Sequence, residues 1–197
     1  MKQLPVEFQE RMKTLLGDEF GFFLKSYDEK PVRAFRVNTD KISLEDFQKL
    51  NIFSNDKIPY VENGFYFDYD GIGNHPYHHA GMFYIQEPAA MVPVESVDIQ
   101  PDWTVLDLCA APGGKSTQIA GRMAGEGFLL CNEYSPKRAK ILSRNIERMG
   151  VPHALVTNEH PQRLAERFSG FFDRVLVDAP CSGEGMFRKE EAAVTDW

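Results

Sequence analysis

Apolar positions recur at two different periods along this chain. Phe8, Met12, Leu15 and Leu16 stand at helical spacing, and Glu19, Phe20, Phe23 and Leu24 continue a second helical pattern after Gly17-Asp18. Arg33 to Asn38 alternates as a strand does. Leu44 to Leu50 returns to a short helix, opened by Ser43 with Glu45 and Asp46 in its first turn. Ile58 to Tyr77, rich in Tyr, Phe, Gly and Asp, predicts short strands and turns. Gly81 to Met91 predicts a strand or loop leading into a helix whose apolar face is Ala90, Val94 and Val97.

From Trp103 onward the pattern becomes a regular alternation. Strands are predicted near Thr104 to Leu108, Gly127 to Asn132, His153 to Thr157 and Arg174 to Asp178, with helices near Ser116 to Met123, Pro136 to Met149 and Pro161 to Phe168. Strand–helix alternation predicts an α/β fold with a doubly wound parallel sheet. In the helix from Pro136, Leu142, Ile146 and Met149 face inward, and Lys137, Lys140, Arg144 and Arg148 lie on another, solvated face. The strand ending at Asp178 is apolar on both faces (Val175, Leu176, Val177), as a central strand should be, yet nothing after it in the chain pairs with it. Such an edge invites self-association, and the charges of Arg188, Lys189, Glu190 and Glu191 argue against a fold-back of Glu184 to Trp197 as its cover.

Composition narrows the class. At 197 residues, 43% hydrophobic and 26% charged, the chain is ordinary for a globular protein. Met1 to Glu10 has no signal-peptide core and no run is long enough to span a membrane, so a cytoplasmic location without membrane contact is expected. The three cysteines form no C-x-x-C pair, which argues against a disulfide framework and a zinc site. His75, His78 and His79 read as a polar turn before a helix rather than a metal site, since no carboxylate or thiol sits at ligand spacing. A net charge of -7 makes any nucleic-acid contact local.

The chemistry concentrates where strands end. Val105 to Gln118 reads as a buried strand, a Pro112-Gly113-Gly114 turn and a helix capped by Ser116 or Thr117. Paired glycines let backbone approach a ligand, and the helix start offers N–H groups to it. Neither the Walker spacing nor G-x-G-x-x-G is present, so a nucleoside carrying a carboxylate suits the loop better. Glu133 follows the second strand about twenty residues beyond the glycines, where a ribose diol is usually held. Asn158 and Glu159 follow the third; either can meet an adenine edge, and a plain loop is as plausible. Asp178 opens D-A-P-C-S-G-E-G after the fourth, which places a carboxylate and the Cys181 thiol in one glycine-flanked loop.

Together D-L-C-A-A-P-G-G-K-S, N-E-Y-S-P-K-R, F-D-R-V-L-V-D-A-P-C-S-G-E-G-M-F-R-K, F-Y-I-Q-E-P-A-A-M and R-V-N-T at Arg36 to Thr39 resemble the Sun-type RNA 5-methylcytosine methyltransferases, most closely the bacterial 16S ribosomal RNA enzymes of the RsmF type. The resemblance implies a Rossmann-like methyltransferase sheet, incomplete here, in residues 81–197, preceded by a small α+β RNA-recognition domain in 1–80. It implies S-adenosyl-L-methionine as cofactor, held by Cys109, Ala110, Ala111, Pro112, Gly113, Gly114, Lys115, Glu133, Arg138 and Asp178, with Asn158 the candidate contributed by the third strand end, and RNA as substrate, 16S ribosomal RNA first and transfer RNA as the alternative. The family usually places Asp where this chain has Asn158. It also carries a second cysteine, in a T-C motif after the fifth strand, which these 197 residues do not contain.

Carbon 5 of cytosine is a poor nucleophile, so a thiolate must first add to carbon 6, and a base must later remove the carbon 5 proton. From the residues alone Cys181 is the attacking thiol. The resemblance instead gives Cys181 a part in proton removal and product release, and makes the T-C cysteine the nucleophile. Asp178 is suited to the base edge or the cofactor amine, and Lys115 to favouring a nearby thiolate or carboxylate. Cys109 and Cys131 read as small apolar fillers. An amine or adenine methyltransferase would want consecutive prolines and an aromatic after the fourth strand, which Pro180-Cys181 lacks. A cofactor- or RNA-binding portion without catalysis of its own is the remaining alternative.

Overall fold

Helix α1 (Val6–Leu16) ends at Gly17, and after one 3-10 turn the chain resumes as α2 (Phe20–Ser26), so the helical opening is realised. The computed structural model describes residues 4–53, 56–181, 183–187, 191–195 and 197. Ser182, Arg188, Lys189 and Glu190 lie outside the described residues. The helical spacing of Phe8, Phe23 and Leu24 serves an aromatic cluster completed by Phe187 and Trp197, in which Phe8 meets Phe187 edge-on at 5.0 Å between centroids. This cluster belongs to a compact unit made of Met1–Pro31 and Pro180–Trp197, and Val32–Ala179 forms the other.

The second unit begins with an antiparallel sheet. Strand β1 (Ala34–Val37) is followed by α3 (Leu44–Lys49), whose N-cap Ser43 accepts from the Asp46 amide. Strand β2 (Gly64–Tyr66), helix α4 (Pro76–His79) and strand β3 (Phe83–Ile85) follow, and the sheet order is β2-β1-β3. Period-2 alternation sends Phe35 and Val37 into a core with Phe47, Phe65 and Phe83. Ala34 and Arg36 face the other way, and that face is buried too: Ala34 packs with Ile58, Val61 and Met91. His75 caps α4 by accepting from the Tyr77 amide, and among the described residues no three His, Cys, Asp or Glu side chains cluster as metal ligands.

Helix α5 (Pro88–Glu95) buries Pro88, Met91 and Val94. The expected Ala90–Val94–Val97 face is therefore rotated: the helix ends before Val97, Met91 packs with Ala34 of β1, and Val94 packs with Val105 and Ile119. Beyond it the alternation appears as β4 (Thr104–Asp107), α6 (Gly114–Met123), β5 (Phe128–Asn132), α7 (Pro136–Met149), β6 (Ala154–Thr157), α8 (Pro161–Arg167) and β7 (Arg174–Leu176). All four strands are parallel, in the order β6-β5-β4-β7, which makes the α/β Rossmann-like sheet. Val105, Leu129 and Cys131 pack on Ile119, Ala120 and Leu142 on one face, and Leu106 and Leu130 on Leu164 on the other. Strand β7 is the edge among the described residues, and Val175 and Val177 stay 52% and 55% exposed.

The antiparallel sheet is fastened to the C-terminal end of α7. Asn38 Nδ2 donates to Gly81 O and Met149 O, and Lys41 Nζ to Ala80 O and Arg148 O. A Cβ on Gly81 would lie 2.0 Å from Arg148 O, so only glycine permits this approach. Arg148 departs from the solvated face expected for it. Its guanidinium is half-buried over Tyr84 at 5.5 Å and donates to His78 O, and burial lowers its pKa. No helix among the described residues is long and apolar enough to cross a membrane.

Candidate functional site

Strand β4 hands the chain to α6 through 108–113, and the loop owes its shape to backbone rather than to hydroxyl caps. Gly113, at φ +113°, is the N-cap, and Ala111-Pro112 is a cis peptide. The cap expected at Ser116 or Thr117 is corrected to Gly113, because the helix already begins at Gly114 and both hydroxyls are engaged elsewhere. Ser116 Oγ donates to Asp107 Oδ2 at 2.7 Å and Thr117 Oγ1 to Gly114 O at 3.1 Å. The first N–H groups of α6 have no intrahelical partner and carry the positive end of its dipole. Gly114 lies against β3 and the residue after it, where a Cβ would sit 3.4 Å from Tyr84 Cε1 and Gln86 Cδ.

Glu133 lies at the end of β5 and is 4% exposed. Its Oε1 accepts from the Ser135 amide, while its buried Oε2 accepts no hydrogen bond and has Arg138 Nη1 at 3.4 Å. Arg138 also donates from Nη2 to Ala111 O at 2.7 Å, which ties the glycine loop to Glu133. Asn158 follows β6 and spends Nδ2 on the carbonyls of Glu133 and Tyr134, at 2.7 and 2.8 Å. An aspartate there could not donate these bonds, so the amide fixes the backbone after β5 and keeps Oδ1 as an acceptor.

Asp107 is 1% exposed, and burial pushes its carboxyl up to about 6 against the opposing hydrogen bond from Ser116. Its Oδ1 is buried without a partner. Lys115 reaches from the first turn of α6 to Asp178 beyond β7, Nζ to Oδ2 at 2.6 Å. Cys109 is half-buried and Cys131 fully so; burial raises the Cys109 thiol pKa and pushes that of Cys131 up to about 12, so Cys131 is held protonated as core filler. Ala110 and Ala111 are buried beneath the loop and Pro112 is exposed. Cys181 is exposed and belongs to the other compact unit. The Val32–Ala179 unit thus brings the 109–115 loop, Glu133, Arg138, Asn158 and Asp178 to the same ends of neighbouring parallel strands.

Two contributors escaped the sequence reading. Asn132 is wholly buried and forms a polar knot. It donates to Leu108 O and Glu159 O and accepts from Thr157 Oγ1 and the Glu159 amide, which fixes the ends of β4, β5 and β6 against one another. Its place beside Glu133 in N-E-Y-S was the available signal. Tyr134 is 65% exposed, edge-on to His160 at 5.4 Å, and forms one wall of an open cleft of about 930 Å³ with Asn158, His160 and Arg163. An exposed aromatic ring beside a buried carboxylate has a free face on which a planar group can stack.

The donor set fits a nucleoside bearing an amino-acid tail. Two buried carboxylate oxygens lack donors, one suited to hydroxyls and one to an amine, and the helix start offers N–H groups to a carboxylate. Residues 4–88 match the family described as the N-terminal domain of 16S rRNA methyltransferase RsmF, and 94–196 match 16S rRNA methyltransferase RsmB/F. Ribosomal RNA small subunit methyltransferase F from Vibrio parahaemolyticus serotype O3:K6 (strain RIMD 2210633) is 39% identical over 98% of this chain. The protein of the same name from Shewanella piezotolerans (strain WP3 / JCM 13877) is 44% identical over 87%. The chain spans 43% and 39% of those relatives' lengths. The crystal structure of a methyltransferase homolog protein from Pyrococcus horikoshii superposes with a TM-score of 0.82 at 30% identity, covering 93% of this chain and 61% of that one. The fold is shared by NSun6 from Pyrococcus horikoshii with SFG, at a TM-score of 0.82 and 20% identity over 92% of this chain and 72% of that one.

Proposed function

The chain belongs to the 16S rRNA methyltransferase RsmB/F family, and we propose that it carries the RNA-recognition and cofactor-binding parts of an S-adenosyl-L-methionine-dependent enzyme that methylates carbon 5 of cytosine in 16S ribosomal RNA. The observation that carries this reading is the Glu133 carboxylate, buried beside the glycine loop with one oxygen left without a donor. When bound, S-adenosyl-L-methionine supplies a methyl group on a positively charged sulfur. Glu133 would take the ribose hydroxyls, Tyr134 the adenine face and Asn158 Oδ1 the adenine amine. The loop amides of 113–115 would hold the amino-acid carboxylate and Asp107 Oδ1 its amine. Arg138 serves by holding Glu133 and Ala111 in register.

Residues 1–80 are assigned to RNA recognition and 81–197 to the first part of the methyltransferase domain, acting in the cytoplasm. Exposed Lys137, Lys140 and Arg144 on α7 are the local basic surface that an acidic chain needs to approach phosphate. Lys115 holds Asp178 in place for the base edge. Cytosine chemistry calls for a thiolate at carbon 6 and a base for the carbon 5 proton. Family resemblance gives the first task to the T-C cysteine and leaves Cys181 with proton removal and product release, so the 197 residues alone are expected to bind cofactor without turnover.

The test is tritium release from 16S ribosomal RNA labelled at carbon 5 of cytosine. The chain alone should release none, and a chimera in which the remainder of the Vibrio relative follows residue 197 should release it in a cofactor-dependent way. Release by the chain alone, lost in Cys181→Ser, would make Cys181 the nucleophile. Methyl transfer by the chimera to any other atom, or to transfer RNA alone, would overturn the substrate reading.

A further inference from the structure

Arg36 is buried to 3% exposure on the second face of β1, where the alternation of the strand turns it away from the phenylalanine core. Its hydrogen-bond partners are neutral. Nε donates to Gln86 Oε1 at 2.8 Å, and Nη2 to Gly114 O at 2.7 Å and Thr117 Oγ1 at 3.0 Å. Gln86 in turn donates to Ala90 O in α5. No carboxylate hydrogen-bonds to this guanidinium among the described residues, and Glu95 acts on it only at a distance. Burial lowers its pKa to about 10. The cation also stands at the positive end of α6, where the helix dipole opposes it.

A buried cation with neutral partners at the wrong end of a helix is a costly way to pack a strand against a helix, since apolar side chains of similar volume do so more cheaply. The guanidinium supplies what they cannot: planar N–H groups that grip the first turn of α6 and β3 together. Gly114 and Thr117 are the residues it grips, and Gly114 is where the ligand-facing amides begin. Asn38, two positions on, holds Met149 O at the far end of α7. The R-V-N-T run therefore fastens both helices that flank the site.

We infer that Arg36 is a positioning residue for the cofactor loop, fixing the first turn of α6 from behind so that its N–H groups are preorganised for the cofactor carboxylate. This rests on the reading of the loop as the S-adenosyl-L-methionine site. A group that preorganises a site changes affinity out of proportion to its effect on the fold, because a loosened loop must be re-ordered at each binding event.

The test is calorimetric titration with S-adenosyl-homocysteine, alongside thermal unfolding, for the unaltered 197-residue chain and three variants. Arg36→Lys keeps the charge but cannot grip Gln86 and Gly114 at once, and should raise Kd about ten-fold or more. Thr117→Val removes one acceptor and should raise it about two- to five-fold. Lys41→Met cuts a more exposed fastening at the distant end of α7 and should leave Kd within about two-fold while lowering the unfolding temperature. If Arg36→Lys does not fold, Thr117→Val against Lys41→Met decides. Unchanged Kd in the first two variants, or equal losses in all three, would reduce Arg36 to a packing residue and overturn the inference. Failure of the unaltered chain to bind would instead overturn the cofactor reading on which it rests.

Discussion

Glu133 Oε2 and Arg138 Nη1 stand 3.4 Å apart, and still that buried oxygen accepts no hydrogen bond. A carboxylate oxygen withheld from water normally finds a donor, and the nearest guanidinium donates elsewhere, to Ala111 O. The arrangement keeps Glu133 oriented and open to a donor from outside the chain.

Glu133→Ala should therefore weaken S-adenosyl-homocysteine binding by about 1–3 kcal/mol, the value of hydrogen bonds to a charged group. Calorimetry on the variant measures this directly. Unchanged affinity would remove Glu133 from the ribose site.

Asp107 gives a pH signature. Its carboxyl is raised from 3.8 to about 6, chiefly by burial. A folded-state pKa above the unfolded value contributes stability that is fully present below about 4 and is lost as pH rises through about 6. At pH 7 the buried charge then costs about 3 kcal/mol. Urea unfolding of Asp107→Asn should show the variant gaining on the parent as pH rises from 4 to 7. A stability difference that does not vary with pH would mean that Asp107 is not the buried ionisable group described.

Asn132 spends all of its polar capacity on the knot that joins three strand ends. Replacing it by Ala strands Leu108 O, Glu159 O and the Glu159 amide, so Asn132→Ala should lower unfolding free energy by about 2–4 kcal/mol. An unchanged urea midpoint would show that water satisfies these groups without cost.

Hydrophobic period revealed the parallel half of the fold almost to the residue, because β4 and β5, buried on both faces, and the amphipathic α7 leave a strong mark in composition. Partners left no such mark. Alternation showed that Arg36 lies on one face of β1 but not that this face is buried, and the basic spacing of α7 could not tell Arg148, folded over Tyr84, from its exposed neighbours. Ser116 and Thr117 read as caps because hydroxyls before a helix usually are; here Gly113 takes the turn and frees them for Asp107 and Gly114. The strand-end carboxylate Glu133 was legible from its distance to the glycines. Its buried oxygen without a hydrogen bond, which supports the ligand role proposed for it, needed three dimensions.

Strand β7 pairs only with β4 among the described residues and leaves Val175 and Val177 more than half exposed. An open apolar strand edge is a template for another copy. Light scattering on the 197-residue chain should show a mass that rises with concentration. A monodisperse monomer at high concentration, with slow amide exchange at 175–177, would show the edge to be protected.

Cofactor binding is the claim on which the rest depends, and calorimetric titration of the unaltered chain with S-adenosyl-homocysteine at pH 7 tests it most directly. Saturable binding at about one site per chain is the expected result, since a single glycine loop is present. No heat and no thermal shift at millimolar ligand would contradict it.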